Sequence, residues 1–148
     1  MTKRQLGSVV AALSLLAATP AIGEQKMQLK DLPPAIQQAV QANLKGGTLK
    51  GLSKEVEKGK AQYEVESTIN GRARDFLLDS AGGLVEVEEE LAMDAVPVAV
   101  KAAAEARGKV LKIESVTRGT TVTYEAQVEK NGKKSEVALD ANGKSPKR

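Results

Sequence analysis

The sequence predicts an α+β fold: a tandem repeat of one helix followed by an antiparallel β-meander, forming a sheet with its helices on one face. Three observations predict it. Tyr63 and Tyr124, Asn70 and Asn131, Asp79 and Asp140, and Gly82 and Gly143 are each separated by 61 positions. Both sets hold an Asn-Gly pair between alternating apolar and polar residues, the strongest short-range hairpin signal. Ahead of each set runs a proline-opened stretch with apolar residues at helical spacing. Four markers at one offset read as a duplication. The expected division is an export segment at 1–23, a first unit at 24–91 and a second at 92–148, packed as one body that shares a continuous sheet.

Composition narrows the chemistry. The 148 residues suffice for one ordinary domain or two very small ones, and 41% are apolar. Aromatic residues make up 2%, so the core must be built from Val, Leu, Ile and Ala. Cys and His are absent. Thiol nucleophiles, disulfides, His general bases and Cys/His zinc sites are therefore excluded. The formal charge of +3 includes Lys3 and Arg4 of the export segment. The first unit carries 9 basic and 12 acidic residues, the second 11 and 7. So even a balance, with so few aromatics to stack on bases, argues against nucleic acid.

Residues 1–23 have the form of a signal peptide. Lys3 and Arg4 start it, an uncharged apolar-rich run covers 6–18, and Pro20 precedes the small residues Ala21 and Gly23. The run is shorter than a membrane span requires. Cleavage is expected after Gly23, with Ala21 as the alternative. Without Cys there is no lipid attachment. The mature protein is expected in the periplasm or the medium, off the membrane, and as a monomer.

Residues 24–31 read as a polar lead-in. Leu32, Pro33 and Pro34 open a helix whose stripe is Ile36, Ala39, Val40 and Leu44, stopped by Gly46 and Gly47. Strands are expected at 49–56, 61–69, 72–78 and 84–90. Tyr63, Val65 and Ile69 lie on one face, with Gln62, Glu64, Glu66 and Thr68 on the other. Asp94 is the expected cap of a second helix starting near Val96 and Pro97, with Val96, Val100, Ala103 and Ala104 buried. Strands follow at 110–117, 121–130 and 133–139, with Val122, Tyr124, Ala126 and Val128 on the apolar face. Residues 144–148 cannot repeat the fourth strand that 84–90 supplies.

These markers resemble the PepSY and PepSY-like domains, the latter described as β-lactamase-inhibitor-like in fold. In the first unit the resemblance rests on Pro34, Ala35, Ile36, Tyr63, Glu64, Val65, Asn70, Gly71, Leu78, Asp79 and Gly82. In the second it rests on Pro97, Val98, Ala99, Val100, Tyr124, Glu125, Ala126, Asn131, Gly132, Leu139, Asp140 and Gly143. It covers residues 31–144. Gly83 departs from the Lys the family often has, which Lys144 keeps, and the last strand of the second unit is missing. The resemblance implies an exported, non-enzymatic protein that binds or inhibits others, such as peptidases. Inhibition of a β-lactamase is not carried over.

Several groups are candidates for function. Asp79 and Asp140 open Asp-x-x-Gly turns like part of a calcium loop, but lack the distal bidentate acid; Asx turns account for both. Glu86, Glu88 and Glu90 share one strand face that would suit a divalent cation or a basic partner, against a solvated edge strand that resists pairing. Glu64 with Glu66, and Glu125 with Glu129, are paired carboxylates without a nucleophile or a sugar platform, so no enzyme is expected. Tyr63 and Tyr124 lie in phase with core residues. The polar sheet face remains, and the binding residues expected on it are Glu64, Glu66, Thr68, Thr121, Thr123, Glu125 and Gln127. The reading is a non-catalytic binding module without a cofactor, acting on another envelope or secreted protein. The alternative is a divalent-metal or small-ligand-binding periplasmic protein using the acidic run Glu86, Glu88, Glu89 and Glu90 with the Asp79 and Asp140 turns.

Overall fold

In the computed structural model, which describes residues 22–146, eight strands form one antiparallel sheet in chain order. The elements are β1 (Ile22–Lys26), a short 3-10 turn (Leu29–Asp31), α1 (Pro34–Leu44), β2 (Thr48–Glu57), β3 (Lys60–Ile69), β4 (Arg72–Asp79), β5 (Leu84–Glu90), α2 (Val98–Glu105), β6 (Lys109–Arg118), β7 (Thr121–Lys130) and β8 (Lys133–Leu139). The α+β class and the single sheet agree with the sequence reading. Apart from Ile22 and Gly23, the expected export segment lies outside the described residues.

Tight turns set the meander. Asn70 and Gly71 take φ of 51° and 76°, and Asn131 and Gly132 take 52° and 72°. Both central residues are left-handed, as a two-residue hairpin loop requires. Lys58 and Gly59 adopt the same pair of values, 49° and 77°. The Asp-x-x-Gly turns serve another purpose. Gly82 and Gly143 have positive φ, and a Cβ on Gly143 would stand 2.4 Å from the Ala99 carbonyl oxygen. On Gly82 it would meet the Ala39 side chain at 3.2 Å. Each turn thus docks on a helix, and small residues at Ala35, Ala39, Ala99 and Ala103 allow the approach.

Both helices lie on the same face. Ile36, Val40 and Leu44 of α1 pack on Leu52, Tyr63, Val65, Phe76, Leu78 and Val87. Val100 and Ala104 of α2 pack with Val96 on Ile113, Ala126, Val128 and Leu139. Strand register carries one face across the junction, because Val87 stands opposite Thr117 and Thr117 is in phase with Ile113. Complete burial of side chains such as Phe76, Leu78 and Ile113 contributes about 1.5–3 kcal/mol each. A buried arginine closes the first half: Arg74 donates to Glu89 Oε1 at 2.8 Å and to the Asn43 carbonyl at 2.5 Å, with its guanidinium over Phe76. It satisfies a carbonyl left open at the end of α1.

Two expectations require correction, on the lead-in and on the cap of the second helix. The lead-in at 24–31 holds the end of β1 and a 3-10 turn; Gln25 and Lys26 pair with Lys54 and Ser53, an edge pairing that no apolar alternation announces. Ile22 pairs with Val56, so β1 begins between the two expected cleavage points, which follow Ala21 and Gly23. Asp94 does not cap α2: Pro97 occupies the N-cap position and no side chain caps it. Val122 lies on the helix side as its alternation predicts, and is 43% exposed because it sits beyond the part of the sheet that α2 covers.

The helix-free face of the sheet

Alternation places the remaining side chains on the face opposite both helices. Among the described residues, no element covers that face. Across the strands, Glu64 lies beside Leu77, Leu77 beside Glu86, and Arg118 beside Thr121. One row further, Asp75 stands beside Glu88, Glu88 beside Val116, and Val116 beside Thr123. The third row brings Glu90 beside Glu114, Glu114 beside Glu125, and Glu125 beside Ala138.

The expected binding residues therefore share one face but not one patch. Glu64, Glu66 and Thr68 are on β3, while Thr121, Thr123, Glu125 and Gln127 are on β7. Four strand spacings separate them, about 19 Å. The ground between is filled by Glu86, Glu88, Glu114, Val116 and Arg118. Of these, Glu86 and Glu88 drew attention in the sequence as part of an edge strand. That assignment was wrong in one respect: β5 pairs with β4 and β6 and is internal. A helix separates β5 from β6 in the chain, so no local signal announced the junction.

This face is not the wet surface its polarity predicts. Glu64 and Glu114 are 4% exposed, Glu86, Glu88 and Glu125 7%, and Val116 1%. Glu66 and Thr121 remain exposed, and Thr68, Thr123 and Gln127 are half-buried. Each of the buried side chains stands among long neighbours on the adjacent strands of the same face. Register shifts in the β1–β2, β2–β3, β4–β5 and β6–β7 pairs supply bulges, which increase twist and bend strands.

Two cations compensate part of the negative charge. Arg118 Nε lies 2.5 Å from Glu86 Oε2, and Lys112 Nζ lies 2.7 Å from Glu114 Oε1. Ser53 Oγ donates to Glu64 at 3.4 Å. Glu88 is different: its Oε1 is buried and has no hydrogen-bond partner. Burial, a hydrogen bond with the Glu86 side chain and the charges of Glu86, Glu125 and Glu114 push its carboxyl up to about 9. Burial and Glu136 raise Glu125 to about 8, with Glu86 adding to the rise and Arg118 opposing it. Both carboxyls hold protons at neutral pH.

The other candidates resolve structurally. Asp79 Oδ1 accepts from the Ala81 and Gly83 N–H groups at 2.8 Å. Asp140 Oδ1 accepts from Asn142 and Lys144 at 2.8 and 3.0 Å. These are Asx turns, with the carboxylate committed to backbone. Tyr63 is buried in the first core, and Tyr124 packs half-buried against the second. Among the described residues no group of three or more Asp and Glu side chains is placed to hold a metal ion. No described helix is long and apolar enough to cross a membrane.

Solved structures share this fold. A protein from Bacteroides eggerthii, provisionally described as periplasmic, superimposes with a TM-score of 0.61 at 20% identity, over 75% of this chain and 83% of its own. A DUF2874 family protein from Bacteroides uniformis gives 0.60 at 19% identity, over 76% and 85%. A BLIP-like protein from Bacteroides fragilis gives 0.55 at 23% identity, over 76% and 83%. The chain is thus similar to BLIP-like proteins in fold. No family model matches it, and neither does any curated protein.

Proposed function

We propose that this is an exported, non-catalytic binding module that engages another protein of the envelope or medium through the helix-free face of its sheet. One observation carries the reading: both helices and both apolar cores lie on one side, leaving the opposite face of an eight-stranded sheet uncovered among the described residues. A one-sided antiparallel sheet needs no more than mild polarity on its wet face. This face instead concentrates carboxylates at its centre, an arrangement that folding does not require. Export is supported by the form of residues 1–23 and by the description of the B. eggerthii protein as periplasmic. The BLIP-like likeness supports a binding role over a catalytic one. Tandem PepSY-like units remain our account of the 61-residue spacing. Glu64 and Glu66, one of the carboxylate pairs seen in the sequence, are respectively buried against Ser53 and open to water, with no nucleophile of the Cys or His type in the chain.

Affinity capture from the envelope fraction tests the reading. The wild-type chain and a Thr123→Lys/Gln127→Lys double variant are compared, both checked for folding. A protein retained by the first and lost by the second is the expected result. Identical capture by both would remove the sheet face from the account.

A further inference from the structure

The row of Glu86, Glu88, Glu114 and Glu125 points to the chemistry of the partner. We infer that it receives a basic side chain, Arg or Lys, presented by an extended segment of that partner, with Glu88 Oε1 as its central acceptor. This rests on the reading of the sheet face as a binding surface and deepens it.

Two independent observations meet here. The first is the state of the carboxyls: at the centre of the face Arg118 and Lys112 each pair with one glutamate, while Glu88 and Glu125, with no cation at salt-bridge distance among the described residues, stay neutral by holding protons that an arriving cation can displace. The second is the acceptor itself. Glu88 is more than nine-tenths buried and its Oε1 lacks any hydrogen-bond partner. A buried polar atom left unpaired costs about 1–3 kcal/mol, so its persistence in the free chain asks for a reason. Facing it from the packed strands are Glu86 and Glu90 on its own strand, Asp75 on β4, Glu114 and Arg118 on β6, and Glu125 on β7. Glu88, Glu114 and Glu125 set acceptors on three adjacent strands around the buried Val116, and a guanidinium would reach them by displacing the side chains that now cover Val116. Its planar fork of donors suits several carboxylates at once. Carboxylates spread across three strands match a flat, delocalised cation better than a single ion, which needs its ligands to converge.

The entering charge must displace protons. Glu88 holds one in the free chain and is a poor acceptor until it is lost. Binding therefore releases protons and strengthens as pH rises toward the free carboxyl values, by up to tenfold per pH unit for each proton released.

Calorimetry with a tetra-arginine peptide, capped at both ends, tests the inference on the purified protein at pH 6 and pH 8 in low salt. The expected result is one peptide bound, at least tenfold tighter at pH 8, with protons released to the buffer. Glu88→Gln should weaken binding at pH 8 at least fivefold and flatten the pH dependence; Glu125→Gln should do the same to a lesser degree and stands in if the first variant misfolds. Unchanged affinity in the variants overturns the inference. So does equal binding of a capped tetraglycine peptide, or binding of calcium chloride with none of the peptide. If the Lys double variant loses its captured protein while Glu88→Gln binds the peptide like wild type, the sheet-face reading survives and this inference falls. If capture is unaffected by the double variant, the sheet-face reading falls first.

Discussion

Arg118 on β6 holds Glu86 on β5 at 2.5 Å across the strand pair that joins the two halves of the sheet. Glu86 is buried, while the arginine side chain is 43% exposed. The pair is worth less than a fully buried one, but removing the cation leaves a shielded carboxylate beside Glu88 and Glu125. Arg118→Ala should cost about 1 kcal/mol. The loss should show as a lower melting temperature, and it should be larger at pH 8 than at pH 5.

Stability should fall as pH rises. Glu88 and Glu125 keep protons in the folded chain that the unfolded chain sheds above the ordinary value of 4.5. Their contribution is complete below that value and is lost as pH climbs through about 8 and 9. Melting temperatures measured between pH 5 and 9 should decline throughout, and Glu88→Gln should flatten the decline. A stability that rises over this interval would contradict the burial of these carboxyls.

Two glycines with similar backbone angles should respond differently to alanine. Gly59 has nothing within 4 Å of a new Cβ, so Gly59→Ala meets only the left-handed penalty, about 1 kcal/mol. At Gly143 the same methyl would press on the Ala99 carbonyl at 2.4 Å. Gly143→Ala should cost at least about 3 kcal/mol, by adding overpacking to the backbone term. Urea unfolding of both variants distinguishes the docked turn from the free one.

Arg74→Ala should be among the most damaging changes on the helix side. It removes the donor to the Asn43 carbonyl, the pair with Glu89 and the cover over Phe76. The expected loss is about 2–4 kcal/mol by chemical denaturation. Arg74→Met, which keeps much of the packing, should recover about half.

Local signals carried most of the fold. Asn70-Gly71 and Asn131-Gly132 fix hairpins because two positive φ values are needed there, and few other pairs supply them. Ile36, Val40 and Leu44 fix a buried helical stripe for the same kind of local reason. What escaped was non-local. β1 is held by pairing with Lys54 and Ser53 rather than by its own pattern. The β5–β6 junction depends on how the chain returns after α2, so Glu86 and Glu88 read as an exposed edge when they are internal. The burial of polar Glu64 and Glu125 depends on their neighbours across the strands, which alternation along one strand does not display. Sequence thus placed Glu64, Glu66, Thr68, Thr121, Thr123, Glu125 and Gln127 on one face, but did not show which strands lie between them.

The claim that partners meet the helix-free face is tested most directly by site-specific photo-crosslinking in cells that make the protein. A photoreactive residue at Thr123, on that face, is compared with one at Gln38, exposed on α1. The account predicts a discrete adduct from position 123 and none from 38. An adduct from 38 with nothing from 123 would place the partner on the helices and contradict it.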